Sequence, residues 1–108
     1  MTFEVRLSPD AQADLDEIHD WIAVHDSPAR AAHVEDRIVE ALSTLERHPQ
    51  RGVHPKELLE LGLREFRQIY FKPYRILYRI EGKQVEVYLI ADGRRDMQAL
   101  LARRLLSS

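Results

Sequence analysis

The chain has 108 residues, no cysteine and a formal net charge of −2. That length suits one domain with one core and no disulfide staple, and the lack of thiols excludes a disulfide framework and thiolate chemistry. No apolar stretch approaches the ~20 residues that span a bilayer, and MTFEVRLSPD lacks the basic and apolar regions of a signal peptide, so a single cytoplasmic domain over residues 1–108 is expected.

Phe3, Val5 and Leu7 alternate with Thr2, Glu4 and Arg6, the pattern of a short strand. Ser8-Pro9-Asp10 then reads as a helix start: a hydroxyl N-cap, proline in the first turn and an acid at the positive dipole end. Ala11, Leu15, Ile18 and Ile22 follow at helical spacing, with Trp21 flanking the stripe. Ser27-Pro28 repeats the start signal, and Ala31, Val34, Ile38, Leu42 and Leu45 predict a second buried stripe. Only Asp26-Ser27 separates the two, so an antiparallel helical hairpin is expected. His48-Pro49-Gln50-Arg51-Gly52 ends it, and a loop follows in which Glu57 to Leu61 form at most one helical turn.

Three strands are predicted between Arg64 and Asp92. Tyr74, Ile76, Tyr78 and Ile80 share one face of the middle strand; Arg75, Leu77 and Arg79 share the other. Glu81-Gly82-Lys83 turns the chain back, with Val85, Val87 and Leu89 on the core side. A Gly93-Arg94-Arg95-Asp96 corner opens a last helix whose stripe is Met97, Leu100, Leu101 and Leu105. Gly93 is expected to take a positive φ and Asp96 to cap the helix. The order is β-α-α-β-β-β-α, an α+β fold in which helices cover one face of the sheet and leave the other face or a groove open.

Charge is unevenly spread. Residues 1–48 carry a balance of −7 and residues 49–108 one of +5, which predicts a basic surface for an acidic partner or polyanion. Arg75 and Arg79 project from one strand face, with Arg67 expected beside them across the hairpin; the competing role is pairing with Glu65 or Glu86. Arg94 and Arg95 are unexplained by the turn they sit in and rank above the strand arginines as contact residues, joined by Arg103 and Arg104 around the last helix. The five histidines show no metal-ligand spacing. Asp14, Asp16, Glu17 and Asp20 read as a solvated helix face, and Tyr74 and Tyr78 as core or sheet-face aromatics rather than base-stacking platforms.

The opening strand into LSPDAQADLDEIHDWI, the Pro49–Gly52 corner, LREFRQIYFKPYRILYRI and IADGRRD, in that order, resemble the RelE/ParE superfamily of type II toxin–antitoxin toxins. The resemblance implies a RelE/ParE-like fold, an N-terminal helical hairpin packed on an antiparallel sheet with a C-terminal helix. It also implies neutralisation by a cognate antitoxin, with no cofactor and no metal. RelE-like members are ribosome-dependent mRNA endoribonucleases; ParE-like members are associated with inhibition of DNA gyrase. Arg75 and Arg95 match the arginines of the nuclease branch. No lysine precedes Lys72 on the strand REFRQIY, however, and Leu100 and Leu101 stand where an aromatic is sought. The expected function is therefore a ParE-like gyrase inhibitor that is not an enzyme, with DNA gyrase as target and no sequence-specific DNA binding by the toxin alone. The alternative is an endoribonuclease using Arg75 and Arg95, and a third reading is a non-toxic relative that only binds its partner.

Overall fold

The computed structural model describes residues 2–106, so the expected domain over 1–108 extends at each end past the described residues. The elements are β1 (Glu4–Leu7), α1 (Pro9–His25), α2 (Pro28–Ser43), α3 (Lys56–Leu59), β2 (Phe66–Phe71), β3 (Tyr74–Glu81), β4 (Gln84–Asp92) and α4 (Met97–Leu106), with 3₁₀ turns at Thr44–Glu46 and Pro49–Arg51. Both serine caps form: Ser8 Oγ accepts from the Ala11 N–H at 3.0 Å, and Ser27 Oγ accepts from the Arg30 N–H at 3.0 Å. Proline follows each cap in the first turn, where its missing N–H removes no helical bond.

The sheet runs β1-β4-β3-β2. β2, β3 and β4 form the antiparallel meander, and β1 joins the far side of β4 in parallel, so the sheet as a whole is mixed. The α1–α2 hairpin covers one face. Its Leu15, Ile22, Val34, Ile38 and Leu42 enclose Ile69, Ile76, Tyr78, Val85 and Val87.

The opposite face is not open. Leu77, Leu89, Ala91 and Phe66 are buried there beneath Met97, Leu100 and Leu101 of α4 and Leu58 of α3. The alternation in β3 marked both of its faces correctly, but the apolar stripe of α4 needed a second surface to bury itself against, and Leu77 begins that surface.

Leu89 belongs to this second core rather than to the face of Val85 and Val87. The β3–β4 register shifts between Leu77/Leu89 and Tyr78/Val87, which makes Tyr88 the extra residue of a bulge. One added residue inverts the alternation, so Ile90 takes the hairpin side in place of Leu89.

The Pro49–Gly52 corner is fixed by Tyr78. Its hydroxyl donates to the Pro49 carbonyl and accepts from the Gly52 N–H at 3.0 Å. A Cβ on residue 52 would lie 2.4 Å from that hydroxyl and 2.8 Å from the Gln68 carbonyl oxygen. Only glycine fits there. Tyr78 is therefore a core residue with a structural polar tip, as its place on the strand implied.

Candidate functional site

Of the arginines singled out by sequence, Arg75 is the most thoroughly engaged. Its Nη1 and Nη2 donate to the two carboxylate oxygens of Glu57 at 3.0 and 2.9 Å, and its Nε donates to Gln68 Oε1 at 2.7 Å. The side chains of Arg75 and Glu57 are only 11% and 16% exposed. The partner is thus neither Glu65 nor Glu86 but an acid on the single-turn helix α3. The hydrogen bonds from Arg75 hold the Glu57 carboxyl below its ordinary pKa against the opposing effect of burial, and they raise that of Arg75.

A carboxylate whose folded pKa lies below its unfolded one adds stability above the unfolded value near 4.5, and that stability is lost as pH falls through the folded value. Wild-type protein should therefore lose Tm more steeply than Glu57→Gln as pH drops from 5 toward the folded pKa. Parallel melting curves for the two across that range would contradict this.

Arg67 is not beside Arg75 and Arg79. It stands opposite Tyr78 in the β2–β3 register and so lies on the hairpin face, whereas Arg79 stands opposite Phe66 on the α4 face. Arg67 Nη1 donates to the carbonyls of Gln50 and Gly52 at 3.2 and 2.9 Å. Arg79 makes a long, exposed pair with Glu81 at 3.8 Å.

Asp14 departs from the solvated acidic face expected of α1. Its carboxylate accepts from Arg104 Nη1 and Nη2 at 2.8 and 2.9 Å and from the Ile90 backbone N–H at 3.0 Å. Arg104 Nη1 also donates to the Tyr88 carbonyl at 2.8 Å. β1 pairs with β4 only as far as Val87, so these two side chains satisfy the open edge that follows. Arg104 is a brace between α1, α4 and β4, while Arg103 lies exposed on α4.

The Gly-Arg-Arg-Asp corner leaves Arg94 and Arg95 exposed. Asp96 caps α4 as expected, accepting from the Ala99 N–H at 3.1 Å. Gly93 does not take a positive φ; positive values occur at Gly62 and Gly82. A Cβ at Gly93 would lie 3.1 Å from Arg75 Cδ and 3.2 Å from its Cγ. The Arg75 stem passes close against the Gly93 backbone, so a side chain there would require that stem to shift by a few tenths of an ångström. Arg94 forks onto the Asp92 carboxylate at 3.0 and 2.6 Å, which holds the Asp92 carboxyl below its ordinary pKa. Arg95 is exposed and forms no ion pair among the described residues.

These two arginines stand at one rim of a groove of about 510 Å³ between α1 and the end of β4. Glu17, Ile18 and Trp21 of α1 form the facing wall, and Tyr74, Ile90 and Asp92 the floor. Trp21 is 62% exposed and stacks on His25 with ring centroids 4.3 Å apart. Gly93 N donates to the Pro73 carbonyl while Ile90 N turns the other way to Asp14. Strand alternation therefore directs the Ile90 carbonyl and the Asp92 N–H toward the groove. The α1 wall was missed in the sequence, although Trp21, an aromatic beside the buried stripe, was its one visible sign.

Burial raises the pKa of Tyr74 and Tyr78, and burial together with a 2.6 Å bond to Glu81 pushes Tyr88 up to about 12. No cluster of three metal-ligating side chains occurs among the described residues, and none of their helices is long and apolar enough to cross a membrane.

The sequence pattern of the ParE toxin of type II toxin–antitoxin system, parDE, matches residues 5–97. The chain belongs to the ParE toxin family. It is a toxin of a type II toxin–antitoxin system within the RelE/ParE superfamily. No curated protein matches this toxin in sequence. Its fold is similar to that in the chromosomal ParDE toxin–antitoxin system from P. aeruginosa. There the TM-score is 0.71 at 22% identity, covering 84% of this chain and 96% of that one. The toxin–antitoxin complex RelBE2 from Mycobacterium tuberculosis gives 0.61 at 24% identity, covering 85% and 99%. The same fold thus occurs in both systems, so fold alone does not separate the two branches of the superfamily.

Proposed function

We propose that this ParE-family toxin inhibits DNA gyrase by protein–protein contact, catalyses no reaction itself, and is neutralised by a cognate antitoxin. One observation carries the non-enzymatic reading: Arg75, an arginine the nuclease branch would need at a phosphate, spends its guanidinium on Glu57 and Gln68. A cation already neutralised by a bidentate carboxylate offers little to a developing phosphorane. The raised tyrosine pKa values supply no general base at neutral pH.

For the antitoxin, the groove between α1 and β4 fits a flexible segment that orders on binding. It combines an aromatic wall, strand-edge groups and the guanidinium groups of Arg94 and Arg95. The test is paired: gyrase supercoiling of relaxed plasmid, and mapping of mRNA cleavage during translation. Lost supercoiling with intact message is the expected result; cut message with normal supercoiling replaces this reading with the endoribonuclease.

Reversing both rim charges (Arg94→Glu, Arg95→Glu) should raise the antitoxin Kd by about tenfold or more. Loss of the exposed Arg94–Asp92 pair should lower Tm only slightly. Calorimetric titration decides it, and an unchanged Kd removes this rim from the interface.

A further inference from the structure

Three of the arginines without a carboxylate lie together at another part of the surface. Arg75, Arg79, Arg94 and Arg104 each pair with an acid. Arg47, Arg51 and Arg67 pair with none among the described residues, and all three belong to the corner built around Pro49. Arg67 is anchored to the Gln50 and Gly52 carbonyls, and Arg51 Nη1 donates to Thr44 Oγ1 at 3.1 Å. Arg47 and Arg51 line an open groove of about 470 Å³ with Phe3, His48 and Gln50. Anchoring to neutral oxygens orients a guanidinium without cancelling its charge, and each such group has donors to spare.

This corner lines a different groove from the Arg94–Arg95 rim. Phe3 N donates to the Glu46 carbonyl, and Glu4 N to that of Lys83, which places Arg47 near the Gln84 end of β4, while Arg67 stands opposite Tyr78, itself opposite Val87. The rim follows Asp92, five residues beyond Val87 on β4 and two strands across the sheet from Arg67. The two surfaces also differ in kind. The rim borders a groove with strand-edge groups suited to a flexible segment. The corner offers arginines around the Tyr78–Pro49–Gly52 connection, of which Arg51 and Arg67 are anchored.

We infer that Arg47, Arg51 and Arg67 form a second interaction surface, which docks an acidic patch on the folded target protein. The charge balance favours a protein patch over nucleic acid. A duplex presents phosphates along its whole length to a chain whose formal net charge is −2. A compact cluster of carboxylates needs to meet only the corner.

The inference rests on the gyrase reading, and the experiment separates the two. Purified gyrase holoenzyme is titrated with wild-type toxin and with Arg47→Glu/Arg51→Glu, Arg67 being left in place because it supports the corner backbone. Antitoxin binding and Tm are measured alongside, with Arg47→Gln/Arg51→Gln as a second variant should charge reversal impair folding. The expected result is a rise of about tenfold or more in the concentration that halves supercoiling, with antitoxin affinity unchanged. Equal inhibition by wild type and variants overturns the inference and leaves the gyrase reading standing. Loss of antitoxin affinity instead assigns the corner to the antitoxin and overturns it too. A gel shift of plasmid DNA by wild type that the variants abolish replaces the protein patch with nucleic acid. If wild-type toxin fails to inhibit gyrase at all, the gyrase reading itself falls, and this inference with it.

Discussion

Gly52→Ala is expected to destabilise the protein by about 3 kcal/mol or more, which for a chain of this size lowers Tm by at least about 10 °C. The added Cβ falls 2.4 Å from the Tyr78 hydroxyl and 2.8 Å from the Gln68 carbonyl oxygen, and the second of these is backbone. Relief requires the corner to move off β2, which breaks the paired bonds between Val53 and Gln68. It would also strand the buried Pro49 carbonyl and Gly52 N–H that Tyr78 now satisfies. Denaturant unfolding of Gly52→Ala, Tyr78→Phe and the double variant makes the mechanism visible. The glycine substitution should cost less in the phenylalanine background, because one of the two clashes is gone. Additive costs would show that the hydroxyl contact is not what excludes a side chain. The same variants should weaken gyrase inhibition if Arg51 and Arg67 act from this corner.

Arg75→Ala should cost about 2–3 kcal/mol, somewhat less than the full value for a completely buried pair because both groups retain slight solvent contact. Its removal leaves the mostly enclosed Glu57 carboxylate without a cation and Gln68 Oε1 without its donor. Changing both members of the pair, Arg75→Met with Glu57→Gln, should recover much of the loss, since no uncompensated charge remains. Urea unfolding of the four proteins gives the coupling directly; a double variant as unstable as Arg75→Ala would contradict the ion-pair explanation. The consequence for function is specific. If Arg75 serves the fold, the double variant retains growth inhibition in proportion to its folded fraction. An Arg75 acting on a phosphate would lose activity even at full stability.

Much of the fold was legible because the signals are short-range. A serine cap and the proline after it act within one helical turn, and both helix starts formed where Ser8-Pro9 and Ser27-Pro28 placed them. Alternation in Tyr74–Glu81 marks both faces of β3 without knowledge of what covers them. The bulge at Tyr88 left no such trace: Val85-Glu86-Val87-Tyr88-Leu89 continues the alternation through the very residue that breaks it. Burial of Leu77 and Leu89 beneath α4 likewise depends on where a later helix packs.

The candidate site divides in the same way. The Gly93–Asp96 corner, its cap and its exposed arginines were visible as a local cluster. The fate of each arginine was not. Arg75 meets Glu57 across 18 residues and Arg104 meets Asp14 across 90, whereas the strand pattern offered only Glu65 and Glu86 on neighbouring strands as partners. By itself the sequence determined the elements, their order and the family, because caps, periodicity and turn residues act locally. Tertiary structure alone decided which positive charges are spent inside the fold and which stay available to a partner, because ion pairing depends on distance in space.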